Sequence, residues 1–291
     1  MKKIISTAPG RVCLFGDHQD YLELPVIACA IDRIMQIDAT ENGKNHFEVN
    51  MPDINEKRII PLKPSFDNID RGDFLKIALK VLQKRQIIPD RGYILTITSK
   101  IPINAGLSSS SALTIVWIQF LITAFSDRSF SSKELALMAY ETEVIEEGSS
   151  GGKMDQFTIA IGEAIYLDTH SDCIHQFDNL KLNLVVGVSG LTKDTFGTLS
   201  ELKSNAWSAI NQVKAKIPDF DISLTTVSDL NKNLDLVENS LKPFFYAAVY
   251  NHDITQRALK ILKKKRLNTK KLGKLMNEHH HILKSYLKIT P

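Results

Sequence analysis

The stretch Pro102-Ile-Asn-Ala-Gly-Leu-Ser-Ser-Ser-Ser-Ala112 limits the possible folds of this chain more than any other. Ahead of it, Tyr93 to Ile101 alternates apolar and polar residues until Pro102 stops the pattern, which predicts a half-buried strand. Behind it, Ser108 to Phe125 is apolar on nearly every side, which predicts a helix enclosed by other elements. The link between them holds Gly106 and four serines. N–H groups at a helix start bind anions, and the helix dipole adds partial positive charge there. Glycine lets a backbone approach a phosphate closely, and serine hydroxyls donate to oxygen or ligate Mg²⁺. Two readings stand on these residues alone: a phosphate cradle, or a core helix capped by serine. One serine suffices for a cap, and four in a row exceed that need.

A core that encloses an apolar helix requires chain length, and 291 residues is about two average domains. With 43% apolar and 24% charged residues, disorder and collagen-like repeats are excluded. Only Cys13, Cys29 and Cys173 are cysteines, which excludes a disulfide scaffold and points to a reducing compartment. A net charge of +3 is too mild to demand a nucleic-acid partner. The longest apolar stretch, Ala112 to Phe125, is interrupted by Thr114, Gln119 and Thr123, and a bilayer crossing needs roughly 20 apolar residues. Near the start, Pro9-Gly10-Arg11 cuts short the apolar run after Lys2-Lys3, so no signal peptide is expected. The expectation is a soluble cytoplasmic protein without a membrane partner.

Strand and helix signals alternate through the first half. Arg11 to Gly16 and Leu24 to Ile34 read as strands, and Asp73 to Arg85 as an amphipathic helix. A helix from Ser132 to Glu147 opens on Ser131 and Glu134, which have capping-box spacing. Met154 to Ile161 reads as a short helix and Ala164 to Asp168 as a strand. Composition shifts near residue 175. Beyond it, Leu182 to Val188 predicts a strand, followed by helices over Thr198–Ile217, Ser228–Tyr250 and Ile254–Leu287. Two domains sharing a cleft, divided into 1–175 and 176–291, suit this layout.

Two further segments carry candidate chemistry. In Ala8-Pro-Gly-Arg-Val-Cys-Leu-Phe-Gly-Asp-His-Gln-Asp-Tyr21, an apolar strand runs into Asp17, His18 and Asp20, a placement common for ligand-binding groups and equally open to a solvated turn. Glu143 falls in step with Leu135 and Ala139 on an apolar helix side, where a carboxylate needs a partner or a metal unless it snorkels. Asp155 follows Gly148-Ser-Ser-Gly-Gly152; it either faces a cleft or simply opens a helix at the positive dipole end. Other patterns mislead. Gly148 to Lys153 lacks the Walker A spacing and its Ser/Thr. His279-His280-His281 points in three directions on a helix and reads as a solvated face, Lys263 to Arg266 as a solvated helix end, and no cysteine pair has zinc spacing.

In this order and spacing, the three segments resemble the GHMP small-molecule kinase superfamily, on its galactokinase branch. Pro9 to Tyr21 is similar to the galactokinase motif PGRVNLIGEHTDY, Gly106 to Ala112 to a GLSSSA-type phosphate loop, and Gly152-Lys-Met-Asp-Gln156 to GIMDQ, with Glu143 at the family's upstream spacing. Leu272 to His279 resembles the helix pattern LGxLMNxSH. The resemblance implies an α+β two-domain fold, with a ribosomal protein S5 domain 2-like N-terminal domain and a ferredoxin-like C-terminal one.

It further implies that Asp155 is the catalytic carboxylate, with Arg11 beside it to stabilise charge on the transferred phosphoryl group. Gly106, Leu107, Ser108, Ser109 and Ser110 would cradle the phosphates of ATP. Ser110 and Glu143 would hold Mg²⁺, and Asp17, His18 and Asp20 would bind sugar hydroxyls. The implied reaction is phosphorylation of a monosaccharide, at the anomeric hydroxyl of galactose or a related sugar, by a monomer or homodimer. Alternatives are a mevalonate-type kinase and a non-catalytic ATP- or sugar-binding relative. Two departures bear on this. The loop Leu22-Glu-Leu-Pro25 is shorter than usual and Asp17 stands in place of Glu, which puts galactose itself in question. The Gly-rich third motif GAGxGG is missing before Pro291, so the C-terminal domain is expected to be incomplete and the chain weak or inactive unless it is a shortened form.

Overall fold

A computed structural model describes residues 3–177, 180, 182–187 and 195–289. The chain forms two compact units, each assembled from separated segments: residues up to 12 with 30–149 and 155–163 in one, and 13–29 with 150–154 and the residues from 164 onward in the other.

The first unit is a sheet covered by helices. Strand β1 (Lys3–Phe15) pairs with β2 (Val26–Glu41). Strand β2 pairs antiparallel with β5 (Tyr93–Ser99), placing Ile37 opposite Ile97. Strand β5 runs parallel to β3 (His46–Met51), which forms an antiparallel hairpin with β4 (Glu56–Pro61) in the register Phe47 to Ile60. Burial alternates along β3 and β5, so a single sheet face carries the core. Against that face lie α1 (Phe74–Gln83), α2 (Ser109–Phe125) and α3 (Ser132–Tyr140). Helix α2 is buried nearly all round, as its uniform apolarity demands. Its Trp117 and Phe120 meet Phe47 and Tyr93 edge-to-face, with centroids 5.4 Å apart for Phe47–Trp117 and 5.2 Å for Tyr93–Phe120. Trp117 donates its indole N–H to the Leu75 carbonyl at 3.0 Å, so the buried ring leaves no polar atom unpaired. The capping box at Ser131 and Glu134 forms as expected. Helix α4 (Met154–Ile161) matches its sequence-based bounds.

In the second unit, Val26–Cys29 of β2 pairs antiparallel with β6 (Ala164–Asp168), and β6 with β7 (Cys173–Gln176). Helices α5 (Thr195–Lys214), α6 (Leu230–Leu234), α7 (Lys242–Leu262) and α8 (Thr269–Ile282) follow. Their core joins Ala209, Ile210 and Val213 of α5 to Phe245, Ala248 and Val249 of α7, closing on Tyr21, Leu22 and Leu24.

Three expectations are corrected. Residues 182–187 form no strand; Val185 is almost fully exposed, and the run joins no ladder among the described residues. Val188, the end of that expected strand, and the terminal Thr290 and Pro291 lie outside the described residues. The helix expected over Ser228–Tyr250 is two, because Pro243 lacks the N–H an interior position needs and sits in the first turn of α7. The helix expected over Ile254–Leu287 is also broken, with Asn268 capping α8 by accepting from the Lys271 N–H at 2.9 Å.

Candidate functional site

In the first unit, the loop between β5 and α2 holds Asn104, Gly106 and Ser108 in the left-handed region, at φ of 56°, 72° and 55°. At Gly106 a side chain would meet nothing, so the backbone angle alone explains the glycine. Left-handed Asn and Ser persist only where surrounding structure enforces them. Here the enforcing group is Arg11: its backbone N–H donates to the Leu107 carbonyl at 3.1 Å and its Nη1 to the Gly106 carbonyl at 2.7 Å. Leu107 is buried beneath the turn.

Ser108 occupies the N-cap position of α2 but caps nothing. Its hydroxyl donates instead to Asp155 Oδ2 at 2.5 Å. The first-turn N–H groups are thus left without a side-chain cap, beside a half-buried Ser109 and an exposed Ser110. Asp155 is the second residue of α4, where the helix dipole favours a carboxylate. Its Oδ1 accepts from Arg11 Nε at 2.7 Å. The guanidinium therefore spans the loop carbonyl and the acid. The Asp155 side chain is 27% exposed.

Glu143 enters from a π-helical turn, Glu141–Ile145, that continues α3. Thr142, Glu143 and Val144 are all buried. Burial pushes the Glu143 carboxyl up to about 7, against hydrogen bonds, those from Ser111 and Gln156 among them, that pull it down. Its Oε2 accepts from Ser111 Oγ at 2.7 Å and from Gln156 Nε2 at 2.6 Å, while its buried Oε1 has no hydrogen-bond partner. That orphan oxygen fits a divalent cation, a hard ion bound through one or two carboxylates together with substrate phosphates. Among the described residues no cluster of three or more His, Cys, Asp or Glu side chains that could hold a metal ion occurs. Ser111, not Ser110, is the serine bonded to Glu143.

The second unit builds the turn that carries Asp17, His18 and Asp20. Three bonds fix it: Gln19 Nε2 to the Ala248 carbonyl at 2.9 Å, Trp207 Nε1 to the Tyr21 carbonyl at 3.1 Å, and Thr169 Oγ1 to the Leu24 carbonyl at 2.9 Å. His18 is left-handed and buried, its Nδ1 3.4 Å from the Tyr21 hydroxyl. Burial, then Asp20 and Asp17, push the Tyr21 phenol above its usual range. The Asp20 carboxylate accepts from the N–H groups of Tyr21 and Met154, the latter at 3.3 Å.

Of the three adjacent histidines, His280 and His281 are exposed but His279 is buried. The signal was present: Leu272, Leu275 and His279 fall on one helical face. Burial pushes His279 down to about 4, so it is neutral at physiological pH. A depressed histidine costs stability in acid, because the unfolded chain binds a proton near pH 6.5 that the folded one refuses until about pH 4. Between those values wild type is expected to lose on the order of 3 kcal/mol that His279→Leu does not lose. Urea denaturation of both proteins from pH 7 to pH 4 checks this, and parallel pH curves would contradict it.

Residues 73–163 match the GHMP kinases N terminal domain, and residues 1–37 match the galactokinase galactose-binding signature. The structure of Lactococcus lactis galactokinase complexed with galactose superposes with a TM-score of 0.86 over 100% of this chain and 77% of that one, at 22% identity. The chain carries a GHMP kinase N-terminal domain and the α+β GHMP kinase fold. Mevalonate kinase of Methanococcus jannaschii shares this GHMP kinase fold at a TM-score of 0.64 and 21% identity, over 100% of this chain and 81% of that one. In sequence, a Clostridium perfringens galactokinase is 27% identical across 97% of this chain and 75% of its own length. A Thermococcus onnurineus mevalonate kinase is 26% identical across 70% of this chain. The chain spans about three fifths of the length of the mevalonate kinases it matches. Among the described residues no helix is long and apolar enough to cross a membrane.

Proposed function

We propose that this chain is an ATP-dependent sugar kinase that transfers the γ-phosphoryl group to the anomeric hydroxyl of galactose or a related monosaccharide. One observation carries the proposal: Arg11 joins the Gly106 carbonyl of a serine-rich helix-entry loop to the Asp155 carboxylate, itself bonded to Ser108. Phosphoryl transfer asks for positioning and electrostatics rather than covalent chemistry, and this set supplies both. The match to a galactose-binding signature over residues 1–37 supports the substrate class.

In this reading, N–H groups of Gly106, Leu107, Ser108, Ser109 and Ser110 hold the nucleotide phosphates at the start of α2. Asp155 orients the acceptor hydroxyl and takes its proton as the oxygen attacks. Arg11 stabilises the charge on the transferred group. Glu143 and Ser110 would hold Mg²⁺, which when bound neutralises charge on the phosphate oxygens. Asp17, His18 and Asp20 bind sugar hydroxyls. We assign the phosphate and sugar residues to an N-terminal domain of residues 1–175 and the remainder to a C-terminal domain of residues 176–291. This division by chain order differs from the compact units, in which residues 13–29 pack with those from 164 onward.

Mevalonate phosphorylation is the second reading, favoured by the 26–28% identity to archaeal mevalonate kinases. Purified protein with Mg-ATP and a panel of monosaccharides, mevalonate and homoserine separates the two. ADP release with a monosaccharide and not with mevalonate is the expected result. Release with mevalonate alone would replace the sugar assignment, and no release with any acceptor would remove it.

A further inference from the structure

We propose that Ser111 and Gln156 are positioning residues: they hold the Glu143 carboxylate by its Oε2 and so present Oε1 to the divalent cation that accompanies the nucleotide. The inference rests on the kinase reading above, but it concerns this chain's own side chains and has its own test.

The two donors come from different elements. Ser111 is the third residue of α2, the helix entered from the serine loop, and Gln156 is the third residue of α4, directly after Asp155. Both bonds are buried and converge on one oxygen, at 2.7 Å and 2.6 Å. A carboxylate held by one oxygen from two directions keeps a single orientation, and its second oxygen then points to a fixed place. That second oxygen is buried without a partner, an arrangement normally avoided unless a ligand completes it.

Neither donor has another reason for its placement. A serine or threonine inside a helix ordinarily bonds back to the carbonyl four residues earlier, as Thr114 does to Ser110 at 3.2 Å. Ser111 reaches instead across to Glu143, 32 positions away in the chain. Gln156 is 3% exposed and its own carbonyl oxygen has no partner, so its bond to Glu143 is what accounts for the buried amide. The four serines thus point to different places. Ser108 turns to Asp155 and Ser111 to Glu143, while Ser109 and Ser110 remain at the more open face of the loop. Groups that orient a metal ligand are typically worth 10- to 100-fold in metal affinity.

The test uses the full chain and Mn²⁺ as the probe, with its dissociation constant read by electron paramagnetic resonance in the presence of a non-hydrolysable ATP analogue. Ser111→Ala and Gln156→Leu are each expected to weaken Mn²⁺ binding by about 10-fold. Ser111→Thr, which keeps the hydroxyl, is expected to restore it, with all three melting near the wild-type temperature. In turnover the Mg²⁺ concentration for half-maximal rate should rise while kcat at saturating Mg²⁺ stays close to wild type. Should Gln156→Leu fail to fold, the Ser111 pair decides alone. Wild-type Mn²⁺ affinity in Ser111→Ala would overturn the proposal, as would the absence of Mn²⁺ binding to the wild-type protein. A protein that shows the expected Mn²⁺ pattern but phosphorylates nothing in the acceptor panel would refute the kinase reading and leave the positioning of Glu143 intact.

Discussion

Asp155→Asn is expected to lower kcat by about 10³-fold with the fold unchanged, the range in which a positioned general base usually contributes. The substitution keeps the volume and most of the bonding. Arg11 Nε can still donate to Oδ1, and the Ser108 hydroxyl can turn from donor to acceptor for the new amide. What disappears is the site that takes a proton from the acceptor alcohol, and the negative charge that faces Arg11. Binding of the nucleotide should change little, because the loop carbonyl of Gly106 keeps Arg11 Nη1 as its donor. Steady-state kinetics with the active acceptor, together with a melting curve, decide the matter. Turnover near the wild-type rate would remove Asp155 from the chemistry, whereas lost turnover with lost folding would leave Arg11 and Asp155 as a structural pair.

The strand, turn and helix entry around Gly106 are legible in the sequence because they are local signals at element ends, whereas Asp155 beside Arg11 is given only by the family resemblance. A strand stopped by Pro102, the conformational freedom of Gly106 and an apolar helix entered through serines can hardly be combined otherwise. Helix α4 and strand β6 were equally legible, since a Gly-rich break and Gly162 punctuate them. The hairpin of β3 and β4 has no such local signal. Its strands are six residues long, β4 has Lys57 and Arg58 exposed or half-buried, and β3 takes its place through parallel pairing with β5, more than forty residues on. The π-turn at Glu141–Ile145 has no compositional mark, being only a shift in hydrogen-bond partner. It carries the buried Glu143. Ser111 and Gln156 carry no distinct sequence signal: one is the fourth of four serines and the other follows Asp155 at the end of a motif. Their role depends on two helices meeting at one carboxylate oxygen, a fact of packing that no spacing rule expresses.

Gly152→Ala is expected to abolish measurable sugar binding by the proposed Asp17, His18 and Asp20 turn, or to raise its dissociation constant by well over 10-fold. A side chain at position 152 would begin 2.2 Å from both Cγ and Oδ2 of Asp20 and 2.7 Å from its Cβ. No rotation relieves this, because the clash includes the Asp20 Cβ itself. The turn would have to move away from residues 150–154, breaking the bond from the Met154 N–H to Asp20 Oδ2. The turn is also tied through Gln19 and Tyr21 to α7 and α5, so displacement strains buried bonds on its other side. Overpacking of this kind costs about 1–3 kcal/mol, which a melting curve would register as a drop of several degrees. Gly148→Ala is the matching control: at φ +67° it carries backbone strain, but a Cβ there meets nothing, so stability should fall by about 1 kcal/mol or more while sugar affinity holds. Calorimetric titration of both variants with the active monosaccharide separates the outcomes. Equal affinities in Gly152→Ala and wild type would mean that Asp20 does not need its present position, and the turn would lose its claim to the sugar.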